Sequence, residues 1–529
     1  MPDRKPLRLW PGVVIVILQL LLRLAVPVFM PDALLVGLLG GLVAGLAVIL
    51  WWLFLSRAPW SERLGAVGLM IVALLVTRRL VDVSIATGAQ GMLFPILAIP
   101  LLGPVFVAWA VVTNRLPDRL RRVSMVATIL LACGGWTLVR TGGFTASSFH
   151  SDLHWRWAKT PEERLVEQSR NGPAALPPVP AAAATPEKLP VAQPGNEPAA
   201  QPPVPAAPKT SVKRPANTAG SELAALPSAP VGTETGPGWP GFRGPHRDDV
   251  IPGVRIKTDW TASPPVQMWR RPVGPGWSSF AVRGGLIYTQ EQRGPDEIVA
   301  CYNLTTGQPV WAHRDPTRFW ESNGGPGPRA TPTLANGRVY TFGATGVLNA
   351  LNAGDGAVVW SRNAASDTGM KTPQWGFASS PLVVDDAVIV ATAGQLAAYD
   401  RATGTRRWVG PAHGVSYSSP QLSTIDGVRQ VLLLSEAGLT SVALADGALL
   451  WEHPWPGYPI VQPALTADGD ILISVTDSSG TRRLAVAHGP AGWTVAERWT
   501  SNGLKPYFND FVVHNGYAFG FDGSILACI

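Results

Sequence analysis

The chain is predicted to be a multi-domain protein, with an N-terminal α-helical transmembrane bundle followed by an all-β propeller of four-stranded blades. Three observations carry that prediction. Apolar runs crowd residues 1–145, a Pro- and Ala-rich stretch then interrupts the chain, and a short unit recurs after it. The unit reads Asn303-Leu304-Thr305-Thr306-Gly307-Gln308-Pro309-Val310-Trp311 and returns as Asn352 to Trp360 and Asp400 to Trp408. A weaker copy, Ala443 to Trp451, keeps Gly447 four residues before the Trp but loses the Asx residue. Trp269, Trp311, Trp360, Trp408, Trp451 and Trp499 follow one another at spacings of 42, 49, 48, 43 and 48 residues. A period of that length holding several short strands is the mark of propeller blades.

Within residues 1–145 five apolar runs are read at Leu9 to Phe29, Leu34 to Leu55, Leu64 to Thr77, Met92 to Thr113 and Val123 to Val139. About 20 apolar residues span a bilayer, which the second and fourth satisfy. The third is short and ends at Arg78-Arg79. Placing the N terminus in the cytoplasm puts Arg4, Lys5, Arg8, Arg57, Arg63, Arg115, Arg119, Arg121 and Arg122 inside and leaves Arg78 and Arg79 as the exceptions. Five spans then deliver everything after Arg140 to the periplasmic side of a bacterial inner membrane. Gly37, Gly41 and Gly45 make a small-residue face for close helix packing, and Arg23 and Asp82 are ionisable groups in or near spans.

Residues 146–236 hold a polar segment with Trp155 and Trp157, then a run such as "AAAATPEKLPVAQPGNEPAAQPP". Such a composition cannot bury enough apolar area to offset the entropy of ordering it. It is expected to be a disordered, semi-extended tether that holds the propeller near the membrane without docking it there.

Residues 237–529 are the propeller. In each repeat the Asx side chain bonds backbone two residues on, and a glycine (Gly307, Gly356, Gly404 or Gly447) supplies the positive φ of a tight turn. An outer strand follows, whose Trp fills the wedge between blades. The first strand of each blade has a marker: Ser279-Phe280, Thr331-Pro332, Ser380-Pro381, Ser419-Pro420, Gln462-Pro463 and Asp510-Phe511. These are expected to ring one mouth of the central channel. Six blades are visible. The last stretch, Ser524 to Ile529, repeats the third strand of blade one without a following turn, so the chain is expected to be a fragment of a seven- or eight-bladed ring. Closure of six blades by Pro265 to Arg271 is the alternative.

With 43 basic and 36 acidic residues the net charge is +7, but much of the excess lies beside the apolar runs. That distribution points to a lipid bilayer, not to nucleic acid. The three cysteines, Cys133, Cys301 and Cys528, form no adjacent pair and no C-x-x-C, which argues against a haem attachment site or metal cluster.

The Asx-x-x-Thr-Gly-x-x-x-Trp unit with a Ser/Thr-Pro-Leu first strand resembles the pyrroloquinoline quinone (PQQ) repeat of the quinoprotein alcohol dehydrogenase-like propellers. Five spans followed by such a propeller are also similar to membrane-bound glucose dehydrogenases. The resemblance implies PQQ and Ca2+ as cofactors and an oxidation that passes electrons to membrane quinone. The same repeat also builds non-catalytic propellers, among them the lipoprotein of the outer-membrane β-barrel assembly machinery. Alcohol dehydrogenases of the family carry two adjacent cysteines, which this sequence lacks.

Several segments are richer in functional-type residues than blades require: Glu291-Gln292-Arg293, Arg318-Phe319-Trp320, Gly324 to Arg329, Trp375, Tyr417, and Lys505 to Asp510 with His514. Glu291, Arg293, Arg329, Trp375, Tyr417 and Asn509 are the ligand-binding candidates. Arg329 would pair with an anion and Trp375 would stack on a planar ring. Asn509 and Asp510 would ligate Ca2+, or Asp510 would act as a base. The expected function is an inner-membrane-anchored periplasmic propeller that binds a protein partner or small ligand as a scaffold. The alternative is a PQQ-dependent alcohol or sugar dehydrogenase, and a cell-wall polymer binder is a third class.

Overall fold

The computed structural model describes residues 7–29, 34–145, 150–171, 238–475 and 479–529. Most of the expected tether (172–237), and Arg4 and Lys5, lie outside the described residues.

The N-terminal part is a helical bundle: α1 (Trp10–Phe29), α2 (Leu34–Leu50) continuing through a π turn at Trp51–Leu55, α3 (Trp60–Leu80), a short α4 (Val83–Thr87), α5 (Leu93–Val112) and α6 (Asp118–Gly134). The third apolar run is longer than expected, because α3 continues without a break through Arg78 and Arg79. Among the described residues, α3 and α5 are the two helices long and apolar enough to cross a membrane by length and composition. The glycine face of α2 is consumed inside the bundle. A Cβ on Gly41 would lie 3.0 Å from Cγ of Pro100, and one on Gly45 2.5 Å from Cγ2 of Ile99. Pro104 in α5 has no N–H to reach the Pro100 carbonyl one turn back. Nε2 of Gln19, buried in α1, donates to that carbonyl at 2.7 Å instead. Glu62 at the start of α3 is buried between two arginines of α6, with Nε of Arg122 2.9 Å from its carboxylate and Arg121 on the other oxygen. Asp82 caps α4, accepting from the Ser84 N–H at 3.0 Å, and Arg23 is exposed on α1.

Beyond α6 an antiparallel hairpin, Val139–Thr145 with His150–Trp155, pairs Val139 with Trp155 and so returns the chain to where it left the bundle. A helix, α7 (Pro161–Asn171), follows. Its start is a reciprocal capping box: the Glu163 N–H donates to Oγ1 of Thr160 at 3.0 Å, and the Thr160 N–H donates to Glu163 Oε2 at 2.6 Å. The helix is docked on the propeller. Glu162 takes both guanidinium nitrogens of Arg318 at 2.6 and 2.9 Å, and accepts the Gly294 N–H at 2.8 Å.

Among the described residues, five four-stranded sheets and one three-stranded sheet follow as blades, with a small two-stranded sheet, Trp320–Glu321 with Gly325–Pro326, between the first two. Blade 1 is Ala281–Arg283, Leu286–Arg293, Asp296–Asn303 and Pro309–Asp315, and blades 2 to 5 repeat that antiparallel order. The inner strands of blades 2 to 5 are Thr333–Ala335, Leu382–Val384, Gln421–Ile425 and Ala464–Leu465. The sixth sheet has three strands, Val512–His514, Tyr517–Asp522 and Ile525–Cys528. Pro265 to Arg271 pairs with none of them among the described residues, so the six-bladed closure is not formed.

The repeat unit works as its chemistry requires. Oδ1 of Asn303 accepts from the Thr305 and Thr306 N–H groups at 3.0 and 2.9 Å, and Asp400 does the same for Ala402 and Thr403 at 2.9 Å. Each Trp reaches across to the next blade's turn. Its indole N–H donates to the carbonyl that follows the Asx position: Trp269 to Leu304 at 2.8 Å, Trp311 to Ala353 at 3.0 Å, Trp360 to Arg401 at 3.0 Å and Trp408 to Leu444 at 3.1 Å. The ring lies flat on that turn's glycine, so that Trp269 covers Gly307, Trp311 covers Gly356, Trp360 covers Gly404 and Trp408 covers Gly447. All four glycines hold φ between +67 and +73. At Gly404 a Cβ would be 2.7 Å from Cδ2 of Trp360, so this position needs glycine for both backbone and space. Gly356 closes its turn in the same way, its N–H donating to the Asn352 carbonyl at 2.8 Å under the Trp311 ring. Trp451 departs, donating at 2.7 Å to Gln430 within its own blade. Trp499 packs between blades 5 and 6 beside Leu504 and Phe511.

Candidate functional site

Antiparallel four-stranded blades begin their first strand and end their fourth on the same face. The outer-to-inner connections and the second turn of every blade therefore open on one mouth of the propeller, and the repeat turns on the other. Every sequence-predicted site residue can be placed against that frame.

The first-strand markers do not line an open mouth; they bond blade to blade. The Ser279 N–H donates to Thr331 Oγ1 at 3.1 Å, that of Thr331 to Ser380 Oγ at 3.0 Å, and that of Ser380 to Ser419 Oγ at 3.0 Å. At the fifth marker the Gln462 N–H donates to Asp510 Oδ1 at 2.6 Å. Asp510, in the sixth marker, is thus an acceptor in an architectural belt.

Nor is the axis free. Residues 238–250 run along it and touch five blades. Trp239 pairs with Val282 of blade 1, and the Leu334 N–H of blade 2 donates to the Pro240 carbonyl at 2.6 Å. Arg247 donates to the Ser380 and Pro381 carbonyls at 3.3 and 3.1 Å and to Oε1 of Gln462 at 3.2 Å. Arg243, 4 % exposed, donates to the Phe511 carbonyl at 2.6 Å and to Asp249 at 2.7 Å, with Asp510 3.7 Å away. Burial raises the Asp510 carboxyl above its usual range, and Arg243 opposes that rise. Arg243 and Arg247 carry no signal in the sequence, because the segment has no period and their partners are remote in the chain.

Trp375 and Tyr417 do come together at the mouth, their ring centroids 4.9 Å apart, and Phe508 lies 6.2 Å from Trp375. The Trp375 N–H donates to the Tyr417 hydroxyl at 3.4 Å. Beneath them Arg329, expected to pair with an anion, is held by its own loop. It donates to the carbonyls of Trp375 (3.1 Å), Gly327 (3.0 Å) and Gly325 (2.8 Å), and pairs with Glu321 at 3.3 Å. Asn509 is exposed on the connection into the sixth sheet, and His514 is exposed at the far end of that sheet's first strand.

Glu291 and Arg293 lie inside blade 1, both buried, and pair at 2.7 Å with the Tyr302 hydroxyl on the same carboxylate oxygen at 2.9 Å. Burial pushes that phenol well above its usual range. Glu297 on the next strand was not singled out in the sequence. It is 3 % exposed, accepts the Ala344 N–H at 3.0 Å, and burial raises its carboxyl to about 7, with Asp315 adding to the rise and Arg329 opposing it. The folded state therefore binds this proton more tightly than the unfolded chain does. The resulting stability is complete below about pH 4.5 and is lost as pH rises through about 7. Glu297→Gln is expected to raise the unfolding free energy at pH 8 by about 1–3 kcal/mol, read as a higher urea midpoint, and to change it little at pH 5. Unfolding followed by tryptophan fluorescence at the two pH values checks this.

A planar, polycarboxylate quinone held beside Ca2+ needs free cationic donors and a set of hard oxygen ligands. Here Arg329 is committed to loop carbonyls, Asp510 to Gln462 and Arg243, and the axis to residues 238–250. Among the described residues, those at the mouth and along the axis do not fit that group. What the mouth does offer is aromatic surface. Trp277, Tyr458 and Phe508 are 67, 60 and 67 % exposed on the connections, beside the partly buried Trp375–Tyr417 pair.

The family model described as outer membrane protein assembly factor BamB matches residues 295–503. Two curated proteins of that description are similar: one from Shewanella oneidensis, 31% identical over 156 residues (27% of this chain and 36% of that protein), and one from Yersinia pestis, 24% identical over 205 residues (36% and 48%). The chain thus spans about a third to a half of the length of the curated relatives it matches. Among solved structures, BamB from Moraxella catarrhalis is 20% identical with a TM-score of 0.32, covering 46% of this chain and 80% of that one. Quinohemoprotein alcohol dehydrogenase from Comamonas testosteroni is 17% identical with a TM-score of 0.34, covering 50% and 48%. Residues 295–503 form a PQQ-type repeat domain of the BamB-like kind.

Proposed function

We propose that the chain is an inner-membrane-anchored periplasmic propeller that serves as a binding scaffold and not as a quinoprotein dehydrogenase. The observation that carries this reading is the commitment of Arg243, Arg329 and Asp510 to the architecture. The role for which its relatives are named, an assembly factor, supports a protein-binding scaffold over a redox one.

The membrane part of the reading rests on the bundle. Leu21, Val43, Phe54, Leu75 and Leu131 are each more than half exposed on its outer surface, an arrangement that water penalises and lipid does not. The charge bias supports a cytoplasmic N terminus, several spans and the propeller outside. The native cysteines provide a test, since Cys133 and Cys301 are buried and Cys528 is exposed in the sixth sheet. A membrane-impermeant maleimide is expected to label intact, outer-membrane-permeabilised cells at Cys528. Labelling that requires lysis of the inner membrane would overturn the placement.

A further inference from the structure

We infer that the aromatic mouth of the propeller is held against the interfacial layer of the bilayer, with α7 as the strap that sets its orientation. This rests on the membrane reading above and names the surface that the mouth meets.

The chain path from the bundle to the mouth is short. Because Val139 pairs with Trp155, the hairpin brings the chain back to the end of the bundle, and Arg156 is anchored there by its N–H to the Leu138 carbonyl at 2.8 Å and by Nη1 to the Leu80 carbonyl at 3.4 Å. Arg140 pins Ala158 as well. Only a few residues separate Arg156 from Glu162, at most about 20 Å of extended chain. Glu162 is the residue that grips Arg318 and Gly294, and both lie on the mouth face of blade 1. The mouth of blade 1 therefore sits beside the end of the bundle, whereas the repeat turns point away from it.

The chemistry of that face suits a lipid headgroup layer. Trp277, Trp320, Tyr458, Tyr507 and Phe508 are all exposed, by 36 to 67 %, and all lie on outer-to-inner connections. Trp155 at the end of the hairpin and Trp157 just after it, stacked at 5.1 Å and more than half exposed, add two rings at the bundle end of the chain path. Lys371 is exposed on the connection between blades 2 and 3. Amphipathic aromatic rings with neighbouring cations are the side chains that favour the headgroup layer. Facing bulk water, the same rings would leave a broad apolar patch unsatisfied.

The test uses the full-length chain in phosphatidylethanolamine–phosphatidylglycerol nanodiscs, with Cys528→Ser removing the exposed thiol. An environment-sensitive fluorophore is placed in turn at Asn509→Cys on the mouth, Thr305→Cys on a repeat turn and Leu75→Cys on the bundle, and quenched by lipid-borne nitroxides. Quenching is expected at Leu75→Cys and at Asn509→Cys, the latter about threefold or more above Thr305→Cys. Arg318→Glu is expected to lower the Asn509→Cys signal towards that of Thr305→Cys, and adding Glu162→Arg to restore it. Quenching at Leu75→Cys with Asn509→Cys no different from Thr305→Cys would overturn the inference and leave the membrane reading standing. No quenching at Leu75→Cys would overturn both. A mouth shielded from lipid by a bound protein would give the first of these outcomes.

Discussion

Arg243→Ala is expected to lower the stability of the propeller by about 3–5 kcal/mol, the cost of leaving one partner of a buried ionic group unpaired. Three groups lose their partner together: the Phe511 carbonyl, Asp249 and Asp510. The loss should grow as pH rises through the carboxylate range, because Arg243 is what favours the charged form of an Asp510 that burial already disfavours. Asp510→Asn in the same chain should recover part of the loss, since the amide keeps an acceptor for the Gln462 N–H without a charge to compensate. Urea unfolding of the single and double variants measures this. A single-variant loss under about 1 kcal/mol would show that the axial segment does not tie the blades together.

The second large effect is expected at Trp360→Ala, about 3–5 kcal/mol from the lost ring and the cavity it leaves. Trp360 is 7 % exposed, packed among Tyr340, Val388 and Tyr399, and bonded to the Arg401 carbonyl. Trp269 makes the same indole bond and covers Gly307 in the same way, but it lies on a segment outside any sheet. Trp269→Ala should therefore cost distinctly less. Equal losses at the two positions would mean that the cap on the glycine turn, and not the packing between blades, supplies the stability. Parallel thermal melts followed by near-ultraviolet circular dichroism separate the two.

The blades were legible because every residue of the repeat acts inside its own turn or on the adjoining blade, so their chemistry is short-range and periodic. The axial segment was not, since Arg243 meets Phe511 across 268 residues and no local pattern announces that. Asp510 was legible twice over, as the sixth marker and as a candidate base or Ca2+ ligand, and only its bond to Gln462 and proximity to Arg243 distinguish the two. The Thr160-x-x-Glu163 capping box was visible in the sequence and would have located α7. The docking of Glu162 on Arg318, 156 residues away, was beyond any sequence pattern. At the mouth the sequence singled out Trp375 and Tyr417, which the fold does bring together, whereas Glu291 and Arg293 went into a blade interior. An Arg at a loop end looks the same in sequence whether its donors face a ligand or, as with Arg329, the carbonyls of its own loop.

The central claim, a binding scaffold in place of a redox centre, is tested most directly by loading the purified full-length protein with PQQ and Ca2+. After gel filtration the protein is expected to retain no quinone absorbance and to reduce no artificial acceptor dye with alcohols or sugars. Stoichiometric quinone retention with substrate-dependent dye reduction, weakened by Arg329→Ala or Asn509→Ala, would contradict the account.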